Sequence, residues 1–251
     1  MFFIAIYLFK IYKRLYLEEY IIEKARELIF VSAKLTLRER MIYNYCINLI
    51  RTTKTDLEGY YNTTIKNIST TLKIKDYKSI KKILEKLKDT PLKINILKEE
   101  QIFTSLISEV KISEDNKVKI YFTPTLKEIA LCKTNYAQIN LNELIKVKSK
   151  NSIVILELKR AYTHKNNKYL SIPHLPLETF KSLMGFENKY ISKAHIQRDI
   201  LEKSQIDLAK NLSIILKYRF LKKGGIDMIE LKINSGYDAP PEYEWFCGVA
   251  V

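Results

Sequence analysis

Two acid and lysine pairs are the residues of this chain whose spacing could serve catalysis. Glu157 lies two residues before Lys159, and Glu230 lies two before Lys232. In metal-dependent nucleases, a carboxylate and a lysine at this spacing serve the metal and the attacking water. The first pair has no Asp in the thirty residues before it, and Asp227 is too close to the second. The chain also lacks a GxxxxGK[ST] phosphate loop, so the sequence predicts no enzyme and no cofactor.

Metal binding is not indicated by the cysteines and histidines. The three cysteines are far apart and form no CxxC or CxxH spacing, which is typical of reduced thiols in a cytoplasmic protein. None of the three histidines has a partner at ligand spacing, so no zinc site is predicted. These residues are Cys46, Cys132, Cys247, His164, His174 and His195.

The net charge of +15 in 251 residues indicates a polyanionic partner. Each Lys or Arg placed on a phosphate releases condensed counterions, which favours binding to nucleic acid. The alternative is an AT-rich genome that encodes Lys at many solvated positions.

The best candidates for base contacts follow a predicted helix start at Ser192. Lys193, His195 and Arg198 would face base edges from the first turns, with Gln197 near them. Arg pairs with guanine and Gln with adenine, and Ser192 could contact phosphate through its backbone amide. The alternative is that His195 and Arg198 belong to a solvated helix face.

Candidate phosphate contacts lie in two further places. Lys222 and Lys223 occupy a predicted hairpin turn, and Lys78, Lys81 and Lys82 share one face of an earlier predicted helix. Lysine suits phosphate better than bases, so we expect the first half of the chain to position the protein and the second half to discriminate sequence.

Two helices and a hairpin must position the candidates of the second half. Apolar residues from Leu177 to Met184 have helical spacing and stop at Gly185. A second helix follows, capped by Ser192. Its predicted buried face is Ile196, Ile200, Leu201, Ser204 and Leu208. Alternating apolar and polar residues then predict two strands around a turn at 222–225. This is the plan of a winged helix, although any small α+β domain is an alternative.

The segment 63–97 predicts the same plan earlier in the chain. A short helix precedes a second one capped by Asp76 and closed by Pro91, and alternating segments with a turn at 114–116 predict another wing. Before it, Thr36 and Glu39 predict a helix with a capping box. We expect an α+β fold of tandem winged helices, with a polar boundary at 135–142 and a helix at 144–162.

Four regions are predicted from this organisation. They are an N-terminal extension at 1–30, winged-helix domains at 31–134 and 135–236, and a C-terminal tail at 237–251. Residues 1–9 are apolar but too short to cross a bilayer, so no membrane partner is predicted. A peripheral membrane helix is the alternative for this start.

Several stretches, taken in the order in which they occur along the chain, resemble a known protein family. LTLRERMIYNYCINLI, KSKNSIVILELKRAY, LETFKSLMGF, IQRDILEKSQIDL and KYRFLKKGG are similar to the iteron-binding plasmid replication initiators, which have two winged helices. The similarity covers roughly residues 28 to 234. The apolar start and the acidic, aromatic tail depart from the family pattern.

The resemblance implies a cytoplasmic protein that binds tandem origin repeats on double-stranded DNA and helps melt adjacent AT-rich DNA. It also implies recruitment of the host initiator and of the replicative helicase or its loader. Dimers formed through domain 1 would repress the protein's own gene. The alternative is a winged-helix transcriptional regulator with no replication role.

Overall fold

The computed structural model describes residues 21–29, 35–96, 100–131, 136–162, 171–186 and 192–235. The predicted tail at 237–251 and most of the predicted N-terminal extension lie outside these residues. Among the described helices, none is both long enough and apolar enough to cross a membrane.

The first long helix begins as its sequence predicts. After β1 (Ile21–Ala25) and α1 (Arg26–Ile29), helix α2 spans Leu37–Thr52. The Thr36 hydroxyl accepts a hydrogen bond from the Glu39 amide at 3.4 Å, and the Glu39 carboxylate accepts one from the Thr36 amide at 2.9 Å. This capping box satisfies two amides that a helix start otherwise leaves unpaired.

Two further helices form the predicted pair of the first unit. Strand β2 (Tyr61–Thr64) leads into α3 (Ile65–Leu72), and α4 (Tyr77–Lys88) follows. Asp76 caps α4 by accepting a hydrogen bond from the Ser79 amide at 3.1 Å. The predicted apolar stripe of α4 is buried: Ile80, Ile83, Leu84 and Leu87. The periodicity therefore predicted both the helix and its inward face.

The strands of the first unit form two hairpins. Strands β3 (Pro91–Ile96) and β4 (Glu100–Ser105) pair with each other, and β5 (Glu109–Ile112) pairs with β6 (Lys117–Tyr121). The alternating segment expected to run through 102–112 is interrupted at Leu106 and Ile107, which are both buried. Strand β2 adds to the second hairpin in the order β2-β6-β5. The wing of this unit is therefore β5 and β6.

The second unit repeats that strand order. It comprises β8 (Ser171–Pro176), α8 (Leu177–Leu183), a long helix α9 at 193–212, β9 (Ile214–Lys223) and β10 (Ile226–Ser235). Its sheet has the order β8-β10-β9. In both units, the strand before the first helix pairs with the last strand of the wing. This shared topology confirms the fold as α+β with two winged helices.

The connection between the units differs from the expected boundary. After α5 (Pro124–Ala130), the segment expected to be polar forms β7 (Tyr136–Asn140), which pairs antiparallel with β1. Ala137 and Ile139 are buried. The alternation of buried and outward-facing residues therefore makes this segment a strand in spite of its polar composition. The expected helix at 144–162 was wrong at its start, because α6 (Leu141–Leu144) and α7 (Lys150–Tyr162) are separate. The domain boundaries stay predictions, and the pairing of β1 with β7 links the regions on either side of them.

Helix α7 contacts both units. Glu157 of α7 is fully buried and accepts hydrogen bonds from the Arg40 guanidinium and the Asn44 amide of α2. At the other end of α7, the Asp207 carboxylate of α9 accepts hydrogen bonds from the amides of Lys148 and Ser149 at 3.0 and 2.9 Å. Because a carboxylate is favoured near the amides of a helix start, this contact fixes α9 against α7.

Candidate nucleic-acid interface

Helix α9 begins at the predicted cap. The Ser192 hydroxyl accepts a hydrogen bond from the His195 amide at 3.3 Å and lies 2.8 Å from the ring Nδ1 of the same residue. The predicted inward face is confirmed, since Ile196, Ile200, Leu201, Ser204 and Leu208 are all buried. The opposite face of α9 is consequently directed to solvent.

A π-helical segment, Ile196–Glu202, lies between two α-helical parts of α9. In a π-helix the hydrogen bonds join residues five apart, and such segments are frequent at functional sites. The sequence carries no signal that predicted it. The segment contains both Gln197 and Arg198, so it sets the direction of two predicted base contacts.

The solvent face of α9 carries a row of exposed residues that we call the exposed stripe: Arg198, Lys203, Ile206 and Lys210. Asp199 lies beside it, and its carboxylate accepts hydrogen bonds from the Arg198 guanidinium at 2.8 Å and the Lys203 ammonium at 3.0 Å. These two cations hold the pKa of Asp199 well below its ordinary value. The carboxylate therefore stays ionised and orients both cations.

Lys193 joins the start of α9 to the wing. Its ammonium lies 2.8 Å from Oδ1 of Asp227 on β10, and this hydrogen bond lowers the pKa of Asp227. The predicted phosphate contacts Lys222 and Lys223 are exposed at the end of β9, where a two-residue turn follows. Gly224 and Gly225 form this turn with φ of +56° and +81°, a conformation that glycine adopts at little cost.

The structure brings the predicted contacts of the second unit to one end of α9 and its wing. Lys193, His195 and Arg198 are exposed, and Ser192 is half-buried. Gln197 is half-buried and its amide donates to Glu202 at 3.1 Å, so in this conformation Gln197 is held by its own helix. DNA contact by each of these residues stays a prediction.

The predicted lysines of the first unit lie on α4, which occupies the place of α9 in the shared plan. Lys78 and Lys82 are exposed, and Lys81 is half-buried. Lys86 differs from them because its ammonium pairs with Glu39 at 2.7 Å. The three predicted residues therefore form a cationic surface that does not include Lys86.

Sequence reasoning missed cations on the wing of the first unit. Lys111 and Lys119 are directly opposed in the pairing of β5 with β6, and Lys117 lies next to the turn. Acidic groups accompany them: Lys119 lies 3.1 Å from Asp56, and Lys117 lies 2.6 Å from Asp115. Alternation of lysine with Val118 and Ile120 was the signal that could have placed these lysines on one face. Lys203, Ile206 and Lys210 were also missed, although their spacing of three and four residues from one another was visible in the sequence.

Both glutamates of the acid and lysine pairs are engaged in ion pairs. Glu157 pairs with Arg40 at 2.7 Å, and Glu230 pairs with Arg219 across the wing at 2.6 Å. Within the described residues, no group of three His, Cys, Asp or Glu side chains is placed to hold a metal ion.

Two winged helices in one chain, each presenting a cationic second helix, define a DNA-binding protein. A family model described as "Initiator Replication protein, WH1" matches residues 21–160. The chain therefore belongs to this family of replication initiators.

Solved structures show the same fold. One of them is the "Crystal structure of Pi initiator protein in complex with iteron DNA". It is similar to this chain with a TM-score of 0.67 and 18% sequence identity, and the match covers 88% of this chain and 99% of that chain. Altogether 21 chains of solved structures match significantly. Among curated proteins there is no significant match.

Proposed function

We propose that this initiator binds repeated sites, or iterons, in the origin of a plasmid and thereby starts its replication. Family membership supports the role in replication. The similar Pi initiator was solved with iteron DNA, which supports this kind of site. The observation that carries the proposal is the solvent face of α9, where Arg198, Lys203 and Lys210 line a helix whose opposite face is buried in the second unit.

In the proposed complex, the start of α9 enters the major groove. Arg198 donates to guanine, Lys193 and His195 contact base edges beside it, and Gln197 contacts adenine after leaving Glu202. Lys222 and Lys223 of the wing and the Ser192 amide contact the phosphate backbone.

The first unit has a different role in this proposal. Lys78, Lys81 and Lys82 of α4 contact phosphates, so the first unit supplies affinity and orientation while the second unit supplies sequence discrimination. The residue types of the two helices support this division of roles. The predicted surface of α4 contains lysine but no Arg, Asn or Gln, whereas α9 presents Arg198 and Gln197.

Host proteins supply the enzymatic steps. We extend the proposal to contacts with the host initiator and with the replicative helicase or its loader, in the cytoplasm, and to a homodimer through the first unit that represses the protein's own gene. The resemblance of the sequence to plasmid initiators supports these partners. The chain itself acts by binding, and the ion pairs made by Glu157 and Glu230 support a structural role for both carboxylates.

The proposal is tested with DNA that flanks the gene. Direct repeats about two helical turns apart, beside an AT-rich stretch, are the expected target. Affinity for a duplex with one repeat is compared with affinity for the same duplex with the repeat shuffled, at several salt concentrations. We expect specific binding to be tighter by at least ~10³-fold at physiological salt. Equal affinity for the two duplexes would reject the proposal.

The replication role needs a second measurement. A plasmid that carries the flanking repeats but no initiator gene is introduced into cells that express the protein from the chromosome. We expect this plasmid to be maintained, and the same plasmid with shuffled repeats to disappear from the culture. Maintenance of neither plasmid, with specific binding intact, would indicate a regulator without a replication role.

A further inference from the structure

We propose that Ile206 contacts the C5-methyl group of a thymine and so adds a base preference that the polar residues of α9 do not provide. This inference rests on the proposed docking of α9 in the major groove. Ile206 is 68% exposed, in a helix whose buried isoleucines, Ile196 and Ile200, are at most 2% exposed. Its side chain is therefore free to meet a partner of the solvent face.

Ile206 has no evident role in the stability of the fold. The inward face of α9 is on the opposite side and is filled by Leu201 and Leu208, both fully buried. Isoleucine also has a lower helix propensity than alanine, so it does not favour the helix at an exposed position. At 68% exposure, most of the apolar surface of Ile206 can contribute a free-energy gain only through a contact outside the chain.

The surroundings of Ile206 indicate DNA as its partner. Lys203 precedes it and Lys210 follows it along the exposed stripe, about one turn away on each side. Cations on both sides of an apolar group match a surface where phosphates flank a methyl group. In the major groove the thymine C5-methyl is the apolar group that base pairs present, and aliphatic side chains contact it.

The position along the helix predicts where this thymine lies. Ile206 follows Arg198 by eight residues, and because part of this stretch is π-helical, with a smaller rise per residue, the two lie at most about 12 Å apart along the helix axis. Base pairs follow one another at about 3.4 Å. The thymine should therefore lie within about four base pairs of the guanine contacted by Arg198.

The test compares thymine with deoxyuridine, which lacks only the methyl group. High-affinity duplexes are first selected from a random library with the wild-type protein, and each thymine in a selected site is then replaced singly by deoxyuridine. For the wild-type protein, we expect one replacement to weaken binding about fourfold, the effect of one buried methyl group. For Ile206→Ala, the same replacement should have no effect, and Ile206→Val should give an intermediate loss.

Ile226 provides a matched control, because it is an isoleucine of the same unit, is 58% exposed and lies at the start of β10 beside the turn. Ile226→Ala removes the same atoms, and we expect it to keep the full deoxyuridine effect. Circular dichroism of Ile206→Ala should match the wild-type spectrum.

Two failures can be told apart. If selection yields no duplex that binds better than its shuffled form, the proposed function fails and this inference fails with it. If specific binding is found but no deoxyuridine replacement matters, or the effect persists in Ile206→Ala, the inference alone is overturned.

Discussion

Arg40 and Glu157 form a buried, two-pronged ion pair that joins the first helix of one winged-helix unit to the helix preceding the other. The guanidinium Nε and Nη2 lie 3.2 and 2.7 Å from the two carboxylate oxygens. Their side chains are only 5% and 0% exposed. If one partner is removed, the charge of the other stays buried and is not solvated by water. Variants of this pair therefore test how the two units are held together.

Removal of Arg40 alone should destabilise the protein strongly. For Arg40→Met we expect the free energy of unfolding to fall by about 3–5 kcal/mol, because Glu157 then stays buried without its cation. The measurement is urea denaturation at pH 7. The matched control is the double variant Arg40→Met/Glu157→Leu, which should lose less stability than the single one. A double variant that is no more stable than Arg40→Met would contradict this reasoning.

Arg198 should contribute more to the affinity for specific sites than to the affinity for random DNA. For Arg198→Ala we expect affinity to fall by about 1–3 kcal/mol on a selected site and by less on a shuffled one. Fluorescence anisotropy with both duplexes measures the difference. Lys223→Ala is the control, since Lys223 is proposed to contact only phosphate and its removal should weaken binding to both duplexes by similar amounts. Similar effects of Arg198→Ala on the two duplexes would remove Arg198 from base recognition.

The lysines of α4 should affect the salt dependence of binding. For Lys81→Ala or Lys82→Ala, we expect lower affinity on every sequence and a salt slope reduced by about one unit for each phosphate that the variant no longer neutralises. Binding is measured between low and physiological salt. Lys54→Ala, in an exposed loop after α2, controls for the removal of one positive charge. The same slope for the wild type, Lys81→Ala and Lys82→Ala would exclude these phosphate contacts.

Asp56 should make the stability of the first unit depend on pH. Its pKa is lowered from 3.8 to about 2, first by the hydrogen bond from the Tyr60 amide and then by Lys119 and Asn62. A lowered folded-state pKa contributes stability that is present above pH 3.8 and is lost as the pH falls towards 2. Asp56→Asn should therefore be less stable than the wild type at pH 7, and this difference should shrink below pH 4.

Urea denaturation at a series of pH values checks the prediction. The variant Glu58→Gln alters a neighbouring carboxylate that is more exposed, at 64% of its side chain. It should show a smaller difference from the wild type at pH 7 than Asp56→Asn does. A constant difference between wild type and Asp56→Asn down to pH 2 would contradict the assigned cause.

Local signals predicted the parts of this fold that depend on neighbouring residues. The caps at Thr36, Asp76 and Ser192 and the buried stripes of α4 and α9 follow from side chains three or four positions apart. Such signals need no knowledge of the rest of the chain. They were sufficient to predict two winged helices and the start of α9.

Features that depend on distant segments were missed. Strand β7 exists because β1 pairs with it from more than a hundred residues away, and its composition alone suggested a loop. Asp207 accepts hydrogen bonds from the two amides just before α7, and because this contact comes from another helix, its spacing within α9 gave no sign of the role. The π segment at 196–202 also has no known local signature here, and with it the direction of Arg198 could not be predicted.

The contacts of α7 have a consequence for the DNA that this protein can accept. Glu157 holds α7 to the first unit and Asp207 holds it to α9, so we expect these contacts to restrict rotation of the two winged helices about each other. In the proposed complex, both units should then meet the duplex at a constant helical phase. An insertion of about five base pairs, half a helical turn, between the two contacted segments would turn one of them to the far side of the duplex.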